Sequence, residues 1–371
     1  MKLGTVTVHN GYNYGASLQA YGLVKALEDL GYEANLIDYR NPLIEKKMAS
    51  KKKDSGIKKA IKYLLLNGKG YELRKKRFNE FNASFIEGKT YYSVDELKEL
   101  NKEYDGFVCG SDQIWNMNIT DHDPAFFLSF ADKDKIRISY AASLGEEKAE
   151  SERTKEFFVE NLKSLDSISV REVDSVPIIK GLTETPCHTV IDPVLLAEET
   201  VWNELAEKSS IKTPKYKYAF YYELFRNDEM YEFALKKAKE RGVKLVRTDI
   251  LPAKALIKGC VSLSDKGIGP AEFVKLIKNA EFVVTNSFHG TVFSILFEKE
   301  FYVVPLTGKL AGRNKRIENL LGMISLSDHI VKNGECKYEK ADFNEVKKCI
   351  EKEKNIAKEY IVNAINEKRD V

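Results

Sequence analysis

The sequence predicts an α/β protein of two parallel-sheet halves, and three observations carry that prediction. Short apolar runs of strand character alternate along the chain with stretches of helical spacing, the order that produces βαβ units. At 371 residues the chain exceeds one comfortable hydrophobic core,, and the runs divide into residues 1–196 and 197–340, with a charged, helix-forming tail at 341–371. Polar clusters follow the strand-like runs at once. In an open parallel sheet those strand ends share one edge, the edge where ligands bind.

The first half opens with LGTVTVH as a strand, NGYNYG as a turn, and a helix carrying Leu18, Tyr21, Val24, Leu27 and Leu30 at near-helical spacing,. ANLIDY returns as the second strand, which makes a βαβ opening with a right-handed crossover,. The turn presents Asn10, Asn13 and Tyr14. Gly11 and Gly15 permit tight turning, yet the segment has neither GxGxxG spacing nor GK[ST], so no nicotinamide cofactor and no NTP hydrolysis is expected. Residues 43–85 break the alternation with a lysine-rich stretch beside Ile57, Ile61, Leu64, Leu65 and Leu66. This reads as an amphipathic helical insertion. A solvated face is the plain interpretation; the sharper one is contact of residues 46–62 with an anionic membrane surface. Ser93 with Glu96 forms a capping box,. The strand GFVCG then ends in Ser111, Asp112 and Gln113, ISYAAS ends in LG, SISV ends in Arg171 and Glu172, and HTVI ends in Asp192 and Pro193.

The second half begins at KYAFYYE and continues through a helix near 228–241, the strand VKLVRT and a helix opened by Pro270. Its centre is EFVVTNSFHGTVFSILFEKEFYVVP, residues 281–305, a strand, turn, helix, strand unit. The turn places Ser287, His289 and Gly290 at the amino end of the helix, where unpaired N–H groups and the dipole favour an anion. A single histidine in a turn is more often structural than catalytic, so its reading depends on what accompanies it. PLTGKLAGRNKRIENLL follows and brings Lys309, Arg313, Lys315 and Arg316 past the next strand. One histidine with guanidinium and ammonium groups suits a ligand carrying phosphate and carboxylate.

A formal charge of +3 and the lack of a basic, aromatic-interleaved motif argue against nucleic acid,. No apolar run is long enough to span a bilayer, and the amino terminus has no signal-peptide core,. The expectation is a cytoplasmic protein, peripheral at the inner face of the membrane if residues 46–62 touch lipid. Cys109, Cys187, Cys260, Cys336 and Cys349 are odd in number and never form CxxC, which argues against a disulfide framework and a zinc site. No metal is expected.

Six segments together resemble the polysaccharide pyruvyl transferases: NYGASLQAYGLVKALEDLGYEANLIDY, GSDQIWN, YAASLG, SVRE, IDPVLL and TNSFHGTVFSILF, in this order over most of the chain. The resemblance implies a fold similar to the GT-B glycosyltransferases, with two Rossmann-like domains facing a cleft and the terminal helix returning to the first. It also implies transfer of a pyruvyl group from phosphoenolpyruvate to two hydroxyls of a sugar or lipid-linked oligosaccharide, giving a cyclic ketal and phosphate. On this reading His289 is the general acid and Arg171 holds the donor, helped by Ser287, Gly290, Lys309, Arg313 and Arg316. The clusters of the first half, Asn10, Asn13, Tyr14, Ser111, Asp112 and Gln113, line the cleft or bind the acceptor.

The chain departs from the family pattern in one place. Many members carry Arg-Leu-His where this sequence has Ser287, Phe288 and His289, so an arginine expected beside the histidine is absent, and Arg313 or Arg316 is the candidate to supply that charge. Two alternatives follow: a nucleotide-sugar glycosyltransferase of the same architecture, or a non-catalytic member of the fold. Asp121-His122-Asp123 superficially matches a DxD metal element, although a solvated turn accounts for it as well,. A serine hydrolase is poorly supported, because Ser287 lacks the G-x-S-x-G elbow,. Cys109 reads as a buried strand-end thiol.

Overall fold

The computed structural model describes residues 1–46, 57–146, 148–248, 260–337 and 341–369, and side chains from residue 68 onward within the long helix that begins at Ile57. The chain forms two compact units. The first comprises Met1–Lys51, Asn82–Glu198 and Lys348–Val371; the second comprises Lys52–Phe81 and Glu199–Lys347. Both are α/β with parallel sheets.

In the first unit the sheet is built from β1 (Lys2–Val6), β2 (Glu33–Leu36), β3 (Gly106–Cys109) and β4 (Ile136–Ser139), in the order β2-β1-β3-β4. Helix α1 (Tyr14–Asp29) makes the first crossover, and all but a few of its residues are buried. α2 (Ile57–Ala83) belongs mainly to the second unit. Two short strands, β5 (Ile168–Val170) and β6 (Cys187–Thr189), pair in parallel beyond β4, after helix α3 (Glu152–Leu162). Side-chain hydroxyls complete the β4–β5 junction. Ser139 Oγ donates to Ser169 O at 3.1 Å, Ser169 Oγ donates to Ser139 O at 2.8 Å, and the Ser169 N–H donates to Ser139 Oγ at 2.9 Å. All these groups are buried, so each bond satisfies a polar atom that would otherwise be costly,. The core is strongly aromatic: Trp115, Phe127 and Phe158 pack together, and Trp115 Nε1 donates to Phe126 O at 3.0 Å.

The second unit carries α4 (Glu199–Glu207), β7 (Tyr218–Tyr222), α5 (Asp228–Glu240), β8 (Lys244–Arg247), β9 (Cys260–Ser262), α6 (Pro270–Lys278), β10 (Phe282–Thr285), α7 (Phe288–Leu296), β11 (Glu300–Val303) and α8 (Lys315–Met323). Its sheet is entirely parallel, with the order β11-β10-β7-β8-β9. The final helix, α9 (Phe343–Arg369), lies largely in the first unit, where the Tyr360 hydroxyl donates to Ser139 O at 2.8 Å and Lys358 Nζ lies 2.9 Å from Glu198 and 3.3 Å from Asp29.

The insertion read as part of the first half is divided, and residues 52–81 cluster with the second unit. The reason is local. Gly70 packs where a Cβ would lie 2.0 Å from Ser264 O, so only glycine lets the α2 backbone come so close. Two turns of helix on, Arg77 Nη1 donates to Lys266 O and, at 2.7 Å, to Gly267 O,. The side chains of residues 47–62, and with them the expected membrane contact, lie outside the described residues. No helix among the described residues is long and apolar enough to cross a membrane.

Glu272, buried near the start of α6, ties this region together. Its Oε1 accepts from Ser210 N at 3.0 Å and Ser210 Oγ at 2.9 Å, its Oε2 accepts from Gly269 N at 3.0 Å, and Arg77 Nε stands 3.6 Å away. Removing one partner of such a buried network strands the others. Glu272→Ala is therefore expected to destabilise the protein by about 3–5 kcal/mol, read as a lowered urea midpoint, with Glu272→Gln losing less.

Candidate active site

In a doubly wound sheet the crevice for ligands opens where successive strands turn to opposite sides. In the second unit that point lies between β7 and β10, since the chain runs outward from β7 through β8 to β9 and then from β10 to β11. His289 stands there. Thr285 ends β10, and its Oγ1 donates to Tyr222 O at 2.7 Å and accepts from Ser287 N at 3.0 Å. Ser287 then caps α7, its Oγ accepting from Gly290 N at 3.3 Å. Gly290 lies against the strand end; a Cβ there would stand 2.6 Å from Thr285 Oγ1. The turn is thus built tightly enough to hold His289, which is 6% exposed, in the first turn of the helix with its ring edge-to-face on Phe288 at 5.2 Å. Ser287 and Gly290, expected at the donor, are hydrogen-bonded to each other and shape this turn.

Opposite the turn lies the segment that leaves β7. Asn286 Oδ1 accepts from Leu224 N at 2.7 Å and its Nδ2 donates to Phe225 O at 2.6 Å. Asn227 caps α5 and donates to Pro305 O at 3.1 Å. The segment after β11 closes on itself through Asn314, whose side chain bonds Leu306 N at 2.9 Å and Leu306 O at 2.8 Å. The basic residues of that segment separate by environment: Lys309 is exposed, Arg316 is buried in α8, and the Arg313 guanidinium lies 4.6 Å over the Phe225 ring.

Two groups on the same edge are absent from the sequence expectations. Arg247, ending β8 and 4% exposed, has Nη2 3.5 Å from Glu223 Oε1, while Tyr221 OH donates to Glu223 Oε2 at 2.7 Å. Burial, then the Glu223 charge, pushes the Tyr221 phenol well above its usual value. The signal that marked the first half, a polar residue just past a strand, was present in YAFYYE and KLVRT as well.

In the first unit the equivalent point lies between β1 and β3, and side chains fill it. Gln19 Nε2 donates to Thr7 Oγ1 at 3.1 Å, Thr7 Oγ1 donates to Ser111 O at 3.1 Å, and Ser111 N donates to Gln19 Oε1 at 3.0 Å. Ser111 is fully buried, and its Oγ bonds Ala141 O at 3.0 Å. Asn13 caps α1, Tyr14 is its buried first residue, Asn10 donates to Glu45 at 2.9 Å, and Gln113 accepts from Asn116 at 3.0 Å. Asn13 and Gln113 thus serve their own loops, while Asn10 and Ser111 bond groups far along the chain within the same unit. Asp112, with φ +60°, lies 3.8 Å from Arg171 Nη2.

Arg171, expected to grip the donor, is buried among carboxylates. Its Nε donates to Glu172 at 2.9 Å and its Nη1 to Asp192 at 2.7 Å. Asp192 in turn caps the short helix Pro193–Leu196. Asp123 of the DxD-like triplet points inward, accepting from Tyr39 OH at 2.8 Å and Asn41 Nδ2 at 2.5 Å, while His122 Nε2 meets Thr154 Oγ1 at 3.0 Å. Among the described residues no cluster of His, Cys, Asp or Glu is placed to hold a metal. Burial also raises the Cys109 thiol far above its usual value. A polar recess of about 570 Å³ lies beside these loops, between Met117–His122 and Ser151–Thr154.

A second buried pair went unseen in the sequence. His9, 1% exposed at the exit of β1, has Nδ1 3.1 Å from Thr7 O and Nε2 2.9 Å from Asp38 Oδ1. Arg40 Nε (2.7 Å) and Thr90 Oγ1 (2.7 Å) also bond Asp38. Burial alone would raise this carboxyl, but the hydrogen bonds from His9, Arg40 and Thr90 outweigh it and hold it well below the usual carboxylate range.

The fold is GT-B-like. The full-length match includes a UDP-N-acetylglucosamine 2-epimerase from Listeria monocytogenes (TM-score 0.56, 13% identity, 98% of this chain and 95% of that one) and another from Neisseria meningitidis (TM-score 0.52, 12% identity, 99% and 100%). The UDP-GlcNAc 2-epimerase of Methanocaldococcus jannaschii is similar as well (TM-score 0.51, 12% identity, 95% and 99%). Identities this low establish the fold alone. No curated protein sequence matches the chain significantly. The family model for polysaccharide pyruvyl transferase matches residues 13–306, and the chain belongs to that family.

Asp38 gives a test with a definite sign. A carboxyl depressed in the folded state stabilises the fold above its unfolded value, roughly pH 3.9, and that contribution is lost as pH falls through the folded value. Asp38→Asn should cost about 3–5 kcal/mol at pH 7, and denaturant titrations below pH 4 should show the gap to the parent protein closing.

Proposed function

We propose that this protein transfers a pyruvyl group from phosphoenolpyruvate to two hydroxyls of a sugar in a polysaccharide or its precursor, with His289 as general acid. The observation that carries the reading is the place of His289: a buried imidazole at the switch point of the second sheet, on the amino end of α7, in a chain of this family. A helix amino end favours the donor's phosphate and carboxylate, and the basic segment after β11 carries exposed and buried cations.

The chemistry needs a proton on the methylene carbon of the donor. His289 supplies it, the adjacent carbon becomes oxocarbenium-like, and the first sugar oxygen adds there while its proton recharges the imidazole. The carbon–oxygen bond to phosphate then breaks, the second hydroxyl closes the ketal, and its proton leaves with phosphate. Charge builds on the leaving phosphate, so fixed cations stabilise the transition state more than the ground state. Arg171 we assign to holding the Asp112 and Asp192 turns.

Calorimetric titration of the purified protein with phosphoenolpyruvate, and separately with nucleotide sugars, tests the donor without knowledge of the acceptor. Binding of phosphoenolpyruvate is expected; binding of a nucleotide sugar alone would replace this reading with glycosyl transfer. His289→Asn should retain donor binding within a few-fold and lose turnover by about 10²–10⁴. Reaction in D₂O should place one deuterium in the methyl group of the ketal, and a methyl group without solvent deuterium would remove the protonation step.

A further inference from the structure

We propose that Thr285 is a positioning residue for His289: its hydroxyl hangs the start of α7 from the exit of β7 and so fixes the place of the imidazole. The inference rests on the reading of the His289 turn as the donor site and names the group that sets the acid in place.

Thr285 is the last residue of β10 and lies in register with Tyr222 on β7 and Val303 on β11. Its side chain is fully buried. A threonine hydroxyl donates once and accepts on its lone pairs, and here it does both: Oγ1 donates to Tyr222 O at 2.7 Å and accepts from Ser287 N at 3.0 Å. Ser287 is the cap from which α7 begins. Its Oγ accepts from Gly290 N, and its carbonyl accepts from Thr291 N at 3.0 Å and from Thr291 Oγ1 at 3.0 Å. His289 stands inside that turn, so one oxygen joins the sheet to the histidine's helix.

Contact reinforces the bonds. A Cβ on Gly290 would lie 2.6 Å from Thr285 Oγ1 and 3.2 Å from Tyr222 Cδ1, so the first turn of α7 already rests on this hydroxyl. Valine in its place carries a methyl group that is wider than oxygen and bonds neither Tyr222 nor Ser287. The start of α7 must then move. Asn286, the neighbouring tether, bonds Leu224 and Phe225 instead of the cap. Proton transfer to carbon is sensitive to such movement, since about 1 Å of misplacement can cost on the order of 10²-fold.

The experiment records the imidazole signals of the full chain by NMR, with and without phosphoenolpyruvate, in the parent protein, Thr285→Val, Thr285→Ser and Thr291→Val. His289 is one of five histidines, and its signals are those missing from His289→Asn. Thr291→Val is the matched control, because it removes an equally buried hydroxyl from the same turn while Ser287 O keeps the Thr291 N–H. Thr285→Val is expected to displace the His289 signals and diminish their response to phosphoenolpyruvate, with calorimetry showing the donor still bound within a few-fold of the parent. Thr285→Ser, which keeps the hydroxyl, and Thr291→Val are expected to match the parent. Circular dichroism checks the fold, and Thr285→Ala, which removes the hydroxyl without added bulk, carries the same expectation should the valine variant not fold. His289 signals left in place by the loss of the Thr285 hydroxyl, or displaced as far in Thr285→Ser or Thr291→Val, overturn the inference. If phosphoenolpyruvate leaves His289 untouched in the parent, the donor reading falls, while displacement confined to the variants without the Thr285 hydroxyl upholds the placement.

Discussion

Where the strands of a parallel sheet diverge, the two adjacent loops leave the ladder and their backbone groups lose partners. Every buried amide and carbonyl there must be satisfied by a side chain, because an unmade bond in the interior costs more than a made one gains. The architecture of both units depends on how that demand is met. In the first, Gln19, Thr7 and Ser111 form a closed circuit across the gap between β1 and β3. In the second, Thr285 and Asn286 reach across from β10 to the exit of β7.

The two solutions differ in what they leave for chemistry. The first circuit spends its polar atoms on itself, and Ser111, though in a motif placed just past a strand, is fully buried. The second uses an amide and one hydroxyl to hold backbone, and His289, Glu223 and Arg247 are carried on the same edge.

The sequence made much of this legible. The strand-turn-helix-strand unit at 281–305 was clear because its apolar runs are short, unambiguous and separated by a polar turn, and the placement of His289 on the helix amino end followed from spacing alone. The parallel sheets and the crossover at α1 were equally accessible. The uses of the polar residues were not. Whether Asn10 faces a ligand or Glu45, and whether Arg171 faces a donor or Asp192, depends on partners far along the chain, and no local pattern encodes them. His9 and Asp38 were invisible for the same reason: twenty-nine positions apart (38 − 9 = 29), they meet only because β1 and β2 are neighbours. The glycine-mediated docking of α2 on Ser264 likewise needs tertiary proximity that composition does not report.

Arg171 and Arg313 show why burial alone is a poor guide to an anion site. Arg171 is the more buried and carries more carboxylate around it, with Glu172 and Asp192 hydrogen-bonded and Asp112 nearby. A guanidinium so neutralised presents little net field, and bringing a phosphate to it would set that anion against three others. Arg313 is half-buried and rests on a neutral ring. For a reaction in which negative charge grows on a departing phosphate, a cation surrounded by carboxylates contributes little to the transition state, because its charge is already compensated.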